Sequence, residues 1–113
     1  GADLDLAVSD NSSDSNESIV PEAFKLTQNY PNPFNPSTSI NFTVPELSDV
    51  NISVYDINGR LVNTLINNTF SAGEYNVTWN GDDMAGNKVA AGIYMYNLTS
   101  GETSITNKMM LVK

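Results

Sequence analysis

The feature that most constrains the fold is a period-two alternation of apolar and polar side chains in short runs. Ile40, Phe42 and Val44 share one phase, and Tyr94 and Tyr96 share another, with Asn, Ser and Thr nearby on the opposite phase. Successive side chains of a strand point to opposite faces, so such a run has one buried face and one face exposed to solvent. The runs predict strands over residues 24–27, 39–44, 49–57, 61–67, 73–80, 92–99 and 104–112.

Turn residues separate the predicted strands. Asn58-Gly59 lies between two of them and is a strong local signal for a hairpin turn. This spacing of short strands predicts an all-β fold, a seven-stranded antiparallel immunoglobulin-like β-sandwich. The chain has no Cys, so the sandwich has no disulfide and depends on apolar burial. Trp79 and the Tyr and Phe side chains are the predicted core anchors.

Charge divides the chain into two parts. The net charge is −8, and residues 1–23 contribute six acidic groups and no basic group. Residues 9–18 lack any apolar side chain and cannot offset their ordering entropy by burial. We therefore predict an acidic linker over residues 1–23 and a β-sandwich over residues 24–113. Because the first residue is Gly1 and not Met, we expect a fragment or a processed product of a longer protein.

The composition also excludes several classes of function. Too few basic residues are present for nucleic acid or an anionic membrane surface, and no apolar run is long enough to insert into a bilayer. The absence of Cys and His removes thiol nucleophiles, imidazole bases and the usual zinc ligands. We expect no enzymatic activity, no cofactor and no metal.

Three prolines fall within six residues of a motif that reads QNYPNPFNPST at residues 28–38. Each proline fixes its own φ and disfavours helix at the residue before it. The motif is therefore predicted to be an ordered crossing segment. We expect the side chains of Tyr30 and Phe34 to tuck against the sandwich.

Several ordered motifs carry a family resemblance. They read NYPNPFNPST, VYDINGRLV, SAGEY, WNG, AGIYMY and KMMLVK in chain order. Residues 24–113 resemble the type A C-terminal sorting domain of the bacterial type IX secretion system. Residues 79–96 also resemble the immunoglobulin-like domain of flagellar hook-capping proteins. The positions that carry the resemblance are Tyr30, Pro31, Asn32, Pro33, Phe34, Asn35, Pro36, Gly59, Gly73, Trp79, Gly81, Gly86, Gly92 and Tyr94.

The resemblance implies a secretion signal. Such a domain directs its N-terminally fused cargo from the periplasm across the outer membrane of a Gram-negative bacterium. The implied partners are the translocon and shuttle proteins of the outer membrane and a sortase-like protease that cleaves upstream. The implied location of the product is the medium or the cell surface.

The last predicted strand is our candidate for recognition. Its end has four consecutive apolar residues between two lysines: Lys108, Met109, Met110, Leu111, Val112 and Lys113. One interpretation is an edge strand whose outward apolar residues pair with, or dock onto, another β surface. The other is a strand buried on both faces. We expect these six residues to carry most of the recognition.

Other functions fit parts of the sequence. Asp82, Asp83 and Asn87 offer oxygen ligands for Ca²⁺, although an Asp- and Gly-containing turn is the commoner explanation for them. A carbohydrate-binding or cell-surface attachment module would stack sugars on exposed aromatic rings. Its candidate rings are those of Trp79, Tyr55, Tyr94 and Tyr96, although all except Tyr55 alternate in phase with apolar neighbours. A structural spacer, as in hook-capping proteins, is the remaining alternative.

Overall fold

A computed structural model describes residues 23–113, and all seven predicted strands are present in it. The strands are β1 (Lys25–Leu26), β2 (Thr38–Val44), β3 (Ser48–Asp56), β4 (Leu61–Phe70), β5 (Gly73–Trp79), β6 (Gly92–Ser100) and β7 (Thr103–Leu111). The predicted linker lies outside the described residues except for Ala23, so it stays a prediction.

The strands form two antiparallel sheets, which confirms the predicted immunoglobulin-like sandwich. One sheet has the order β1-β2-β5 and the other the order β4-β3-β6-β7. Pairing of β3 with β6 and of β6 with β7 is regular. Pairing of β3 with β4 shifts register twice, and as a result Val62 and Leu65 of β4 both pack towards the core.

Two clusters of buried side chains fill the space between the sheets. The tryptophan cluster contains Phe34, Ile40, Val54, Trp79, Tyr94, Tyr96, Met109 and Leu111. The phenylalanine cluster contains Phe42, Val44, Val50, Ile52 and Leu98. Leu26, Leu65 and Val77 pack against both clusters, so the core is continuous. Trp79 and Tyr96 are fully buried, as their alternation predicted.

The proline-rich segment is ordered but differs from the prediction at one ring. Phe34 is buried in the tryptophan cluster as expected, whereas Tyr30 is 80% exposed, so its predicted packing against the sandwich is wrong. Backbone bonds of 2.9 Å in both directions hold Tyr30 against Ser39. The neighbouring Asn29 takes the inward position and donates to Thr38 Oγ1 at 3.0 Å, which turns the Tyr30 ring outward.

The predicted hairpin turn at Asn58-Gly59 is confirmed. Gly59 has a φ of 81°, a conformation that side chains with a Cβ rarely adopt. Its backbone N–H donates to the carbonyl oxygen of Asp56 at 2.9 Å, which closes the turn between β3 and β4.

Candidate recognition surface

The end of β7 has one buried face and one exposed face. Met109 and Leu111 are 1% and 4% exposed and belong to the tryptophan cluster. Met110 and Val112 are 40% and 39% exposed and point the other way, as does the exposed Lys108. The interpretation of a strand buried on both faces is therefore wrong, because strand alternation turns every second residue away from the core.

The outer edge of β7 is occupied by the proline-rich segment. The carbonyl oxygen of Met110 accepts a hydrogen bond from Phe34 N at 3.0 Å, and Val112 N donates to Phe34 O at 2.9 Å. Asn32 Oδ1 accepts from Met110 N at 3.0 Å, and Gln28 Nε2 donates to Lys108 O at 2.7 Å. Addition of a foreign strand at residues 108–112 would first have to displace this segment. Docking through the outward side chains needs no such displacement.

Several residues of the family motif pack together beneath this end of β7. The rings of Phe34 and Tyr94 lie 5.7 Å and 5.3 Å from that of Trp79, and Trp79 Nε1 donates to the carbonyl oxygen of Asp82 at 2.8 Å. Gly81 has a φ of 71°, and a Cβ there would lie 3.1 Å from the carbonyl oxygen of Pro36. These residues anchor the proline-rich segment and Leu111 and are not available to a partner.

The other motif positions lie apart from that cluster. Pro31, Asn32, Pro33 and Asn35 are exposed on the crossing segment. Gly73 and Gly92 begin β5 and β6, while Gly59 and Gly86 lie in turns. The motif thus combines core, turn and surface positions and does not form one site.

An apolar patch crosses the outer face of the four-stranded sheet at the same end. Tyr55 of β3 lies opposite Leu61 of β4 and Met95 of β6, and Ile93 of β6 lies opposite Met110 of β7. Residues directly opposite each other in antiparallel strands share a face. We call these five residues the outer apolar patch. Leu61 is 51% exposed, and Tyr55, Ile93 and Met95 are half-buried.

The sequence prediction missed most of this patch. It named only Met110, with Tyr55 appearing as a candidate sugar platform. A signal was present, because Ile93 and Met95 are apolar in the phase opposite to the buried Tyr94 and Tyr96. Apolar residues on both phases indicate a strand whose second face is also covered, either by its own chain or by a partner.

The rest of the same face is polar. Ser53, Asn97 and Thr106 form one cross-strand row, and Thr99 and Ser104 belong to the next. Asn97 Nδ2 donates to Ser104 Oγ at 3.0 Å and to Thr106 Oγ1 at 2.7 Å. The outer apolar patch therefore has a sharp boundary on one side.

A shallow depression of about 230 Å³ adjoins the patch at Ile93. Asp56 and Arg60 line it and form an ion pair, with Arg60 Nε 3.0 Å from Asp56 Oδ2. The hydrogen bond from the Arg60 backbone N–H holds the pKa of Asp56 below its ordinary value of 3.8, although burial opposes this shift. The depression thus has a fixed pair of opposite charges beside the apolar surface.

The loop with the candidate calcium ligands is organised by its own hydrogen bonds. Asp83 Oδ1 accepts from the backbone N–H groups of Ala85 at 3.0 Å and Asn87 at 2.9 Å. Asn63 Nδ2 donates to the carbonyl oxygen of Asp82 at 2.9 Å. Within residues 23–113, no three His, Cys, Asp or Glu side chains lie close enough together to hold a metal ion. The geometry gives Asp83 the function of a turn acceptor.

Three of the four candidate sugar-stacking rings belong to the core. Trp79 and Tyr96 are fully buried, and Tyr94 is 7% exposed, so none of them offers a face to a ligand. Tyr55 is half-buried within the outer apolar patch. As for membrane crossing, the described part of the chain contains no helix that is long and apolar enough to span a bilayer.

The two sheets, their strand order and their shared core define an immunoglobulin-like domain. The model of the FlgD Ig-like domain family matches residues 32–104, which is more than half of the chain. The chain belongs to this family. Among curated proteins, no sequence matches it significantly.

Several solved structures share the fold. FlgD from Xanthomonas campestris is 26% identical with a TM-score of 0.55, and the match covers 80% of this chain and 68% of FlgD. FlgD from P. aeruginosa is 25% identical with a TM-score of 0.53, and the match covers 66% and 58% of the two chains.

A further match is latent dimeric PorU from Porphyromonas gingivalis, which is 23% identical with a TM-score of 0.69. That match covers 85% of this chain but only 10% of PorU, so this chain spans a small part of the length of PorU. PorZ of P. gingivalis, an essential surface component of its type IX secretion system, is 20% identical with a TM-score of 0.52 over 80% of this chain and 11% of PorZ. At these identities the likeness shows the fold alone.

Proposed function

We propose that this domain is a C-terminal sorting signal that directs a fused cargo across the outer membrane through the type IX secretion system. The translocon and its shuttle proteins recognise the folded domain, and a sortase-like protease cleaves upstream of it. The product is released or stays at the cell surface. The domain itself performs no chemistry.

One observation carries this proposal: the end of β7 combines a buried anchor with outward side chains. Met109 and Leu111 fix the strand in the core, while Lys108, Met110 and Val112 face away from it. The ordered motifs that resemble type A sorting domains support the same function. The PorU and PorZ structures show that this fold occurs in proteins of P. gingivalis, one of them a named type IX component.

The test is a secretion assay in a host that has a type IX system. A fluorescent protein with an N-terminal export signal is fused to residues 1–113, and fluorescence is compared between medium and periplasm. We expect the fusion in the medium and the unfused reporter in the periplasm. A fusion that stays in the periplasm overturns the proposed function.

Recognition at residues 108–113 needs a variant that keeps the core. Deletion of these residues also removes Met109 and Leu111, so it would confuse recognition with unfolding. The variant Lys108→Ser, Met110→Ser, Val112→Ser changes only outward positions, and we expect it to lower secretion. The matched control, Ser104→Thr with Thr106→Ser, lies on the same face of β7 and keeps its hydroxyls. Equal secretion of the variant and the parent would show that these residues do not carry recognition.

The FlgD match favours a second candidate, a structural module within an assembly. FlgD from Xanthomonas campestris acts in hook capping, which is essential for flagellar assembly. A spacer of this kind predicts that removing residues 24–113 leaves export of the cargo unchanged. The same secretion assay therefore separates the two functions.

A further inference from the structure

We infer that the outer apolar patch is a docking surface for a protein partner that presents apolar side chains together with a carboxylate. This inference rests on the proposed function and extends it, because it moves the recognition surface from the last strand to one end of a four-stranded face. The patch consists of Tyr55, Leu61, Ile93, Met95 and Met110, which four different strands contribute.

The five side chains of the outer apolar patch point away from the core. None of the five belongs to either core cluster or packs against one. They stand side by side on an outer face whose remaining rows are polar. Contiguous apolar surface of this kind, unlike a scattered exposed side chain, is typical of interaction sites.

The outer face of the other sheet shows the contrast. Its groove of about 450 Å³ presents Thr27, Asn41, Thr43, Glu74 and Asn76. Asn76 Nδ2 donates to Asn41 Oδ1 at 2.6 Å, so polar groups on that face satisfy one another. The exposed side chains of this groove are therefore mainly polar or charged, unlike those of the outer apolar patch.

Charge complementarity specifies the partner further. Lys108 lies directly opposite Met95 in the β6–β7 register, so its exposed ammonium group adjoins the patch. Among residues 23–113 the ion pair joins Arg60 to Asp56, so no carboxylate of the described domain pairs with Lys108 and its charge is open to a carboxylate of a partner. A partner that covered Met95 without such a carboxylate would desolvate an unpaired charge.

An anionic lipid surface fits less well than a protein. The described domain has seven acidic and five basic residues, and the whole chain has a net charge of −8. One lysine beside an apolar patch does not offset the repulsion of this charge from an anionic bilayer. The depression of about 230 Å³ beside Ile93 also has room for one side chain of a protein partner.

The first experiment uses the same reporter fusion with variants outside residues 108–113. Leu61→Ser with Met95→Ser removes two members of the patch. The matched control, Leu47→Ser with Met84→Ser, removes two apolar side chains that are 72% and 65% exposed in loops. We expect about a thirtyfold lower secretion rate for the patch variant, the size of effect that loss of one interface hot spot gives, and no change for the control. A thermal melt of each purified variant checks that it is folded.

A second pair of variants tests whether the charge of Lys108 contributes to docking. Lys108→Glu should lower secretion because it faces the partner's carboxylate with a like charge, whereas Lys25→Glu on the other sheet should not. If the parent is secreted and the patch variant is secreted equally well, the docking surface is wrong while the proposed function stands. If the parent fusion is not secreted, the result contradicts the proposed sorting function, on which the docking surface rests.

Two further results would overturn the assignment to a protein partner. One is sedimentation of the purified chain with phosphatidylglycerol vesicles that the Leu61→Ser, Met95→Ser variant abolishes, which would assign the patch to lipid. The other is a dimer in analytical ultracentrifugation that the same variant dissociates, which would assign the patch to a second copy of the chain.

Discussion

At the scale of single residues, the hydroxyl group of Tyr96 joins distant parts of the chain. It donates to the carbonyl oxygen of Thr27 at 2.6 Å and accepts from Asn29 N at 2.8 Å. Asn107 Nδ2 of β7 lies 3.4 Å from the same oxygen. The ring itself is fully buried, so water cannot replace these bonds without entering the core.

Tyr96→Phe should lower the free energy of unfolding by about 1–3 kcal/mol, because it leaves the buried N–H of Asn29 without its acceptor. Tyr94→Phe is the matched control, since the Tyr94 hydroxyl donates only to the carbonyl oxygen of the exposed Ala90. Urea denaturation followed by Trp79 fluorescence measures both. A Tyr94→Phe effect as large as that of Tyr96→Phe would contradict this explanation.

Both tyrosines also predict a dependence of stability on alkaline pH. Burial raises the pKa of Tyr96 and of Tyr94 above the ordinary value of 10.0, because it disfavours the phenolate. Above that pH the unfolded chain releases these protons while the folded chain keeps them, so stability is complete below pH 10.0 and falls as the pH rises further. Urea denaturation from about pH 8 to pH 11 should show this fall, and the double Phe variant should reduce it.

At the scale of elements, the pairing of the proline-rich segment with β7 protects an edge strand. Phe34 bonds to both Met110 and Val112, and Leu111 forms an isolated parallel bridge with Phe34. Edges that present unpaired N–H and C=O groups are liable to pair with other chains, and coverage by a loop prevents this. The segment therefore both positions the end of β7 and closes its edge.

Asn32→Ala should expose one group of that edge. The variant removes the side-chain oxygen that accepts from Met110 N, so the amide hydrogen of Met110 should exchange with solvent faster, by roughly a factor of five for the loss of about 1 kcal/mol. Amide hydrogen exchange measured by NMR checks this. The neighbouring Asn35→Ala, at an exposed position of the same segment, should leave the Met110 rate unchanged.

The sequence predicted the elements well, because its alternation and turn residues are local signals. Each predicted strand is present, although β4 continues to Phe70, where the predicted run ended at residue 67. That extension depends on pairing of Thr69 and Phe70 with Asp49 and Ser48, which no local pattern shows. The pairing of Phe34 with Leu111 joins residues far apart in the chain, so no local pattern predicts it either.

The candidate surface was predictable only in part for the same reason. The outward direction of Met110 follows from alternation, but the position of Leu61 depends on a register shift between β3 and β4. Tyr30 shows the opposite error, because an aromatic ring next to a proline-rich motif suggests burial. Its exposure is decided by Asn29, whose side chain finds its bonds inside.

At the scale of the whole molecule, the two core clusters should unfold together. Leu65 packs against both, and Leu65→Ala should lower the free energy of unfolding by about 2 kcal/mol in a single transition. Trp79 fluorescence reports on one cluster and far-ultraviolet circular dichroism on both sheets, so their midpoints should coincide. Leu47→Ala, at a side chain that is 72% exposed, should cost less than about 0.5 kcal/mol. Two separated transitions would show that the clusters are independent.

The register of the four-stranded sheet determines the folding state in which a receptor can bind the outer apolar patch. Tyr55, Met95 and Met110 adjoin one another only after β3, β6 and β7 have paired, because the three residues are far apart in the sequence. A receptor that binds this arrangement therefore distinguishes a finished domain from a nascent, truncated or denatured one. Under the proposed sorting function, recognition of this arrangement would limit export to cargo whose C-terminal domain has finished folding.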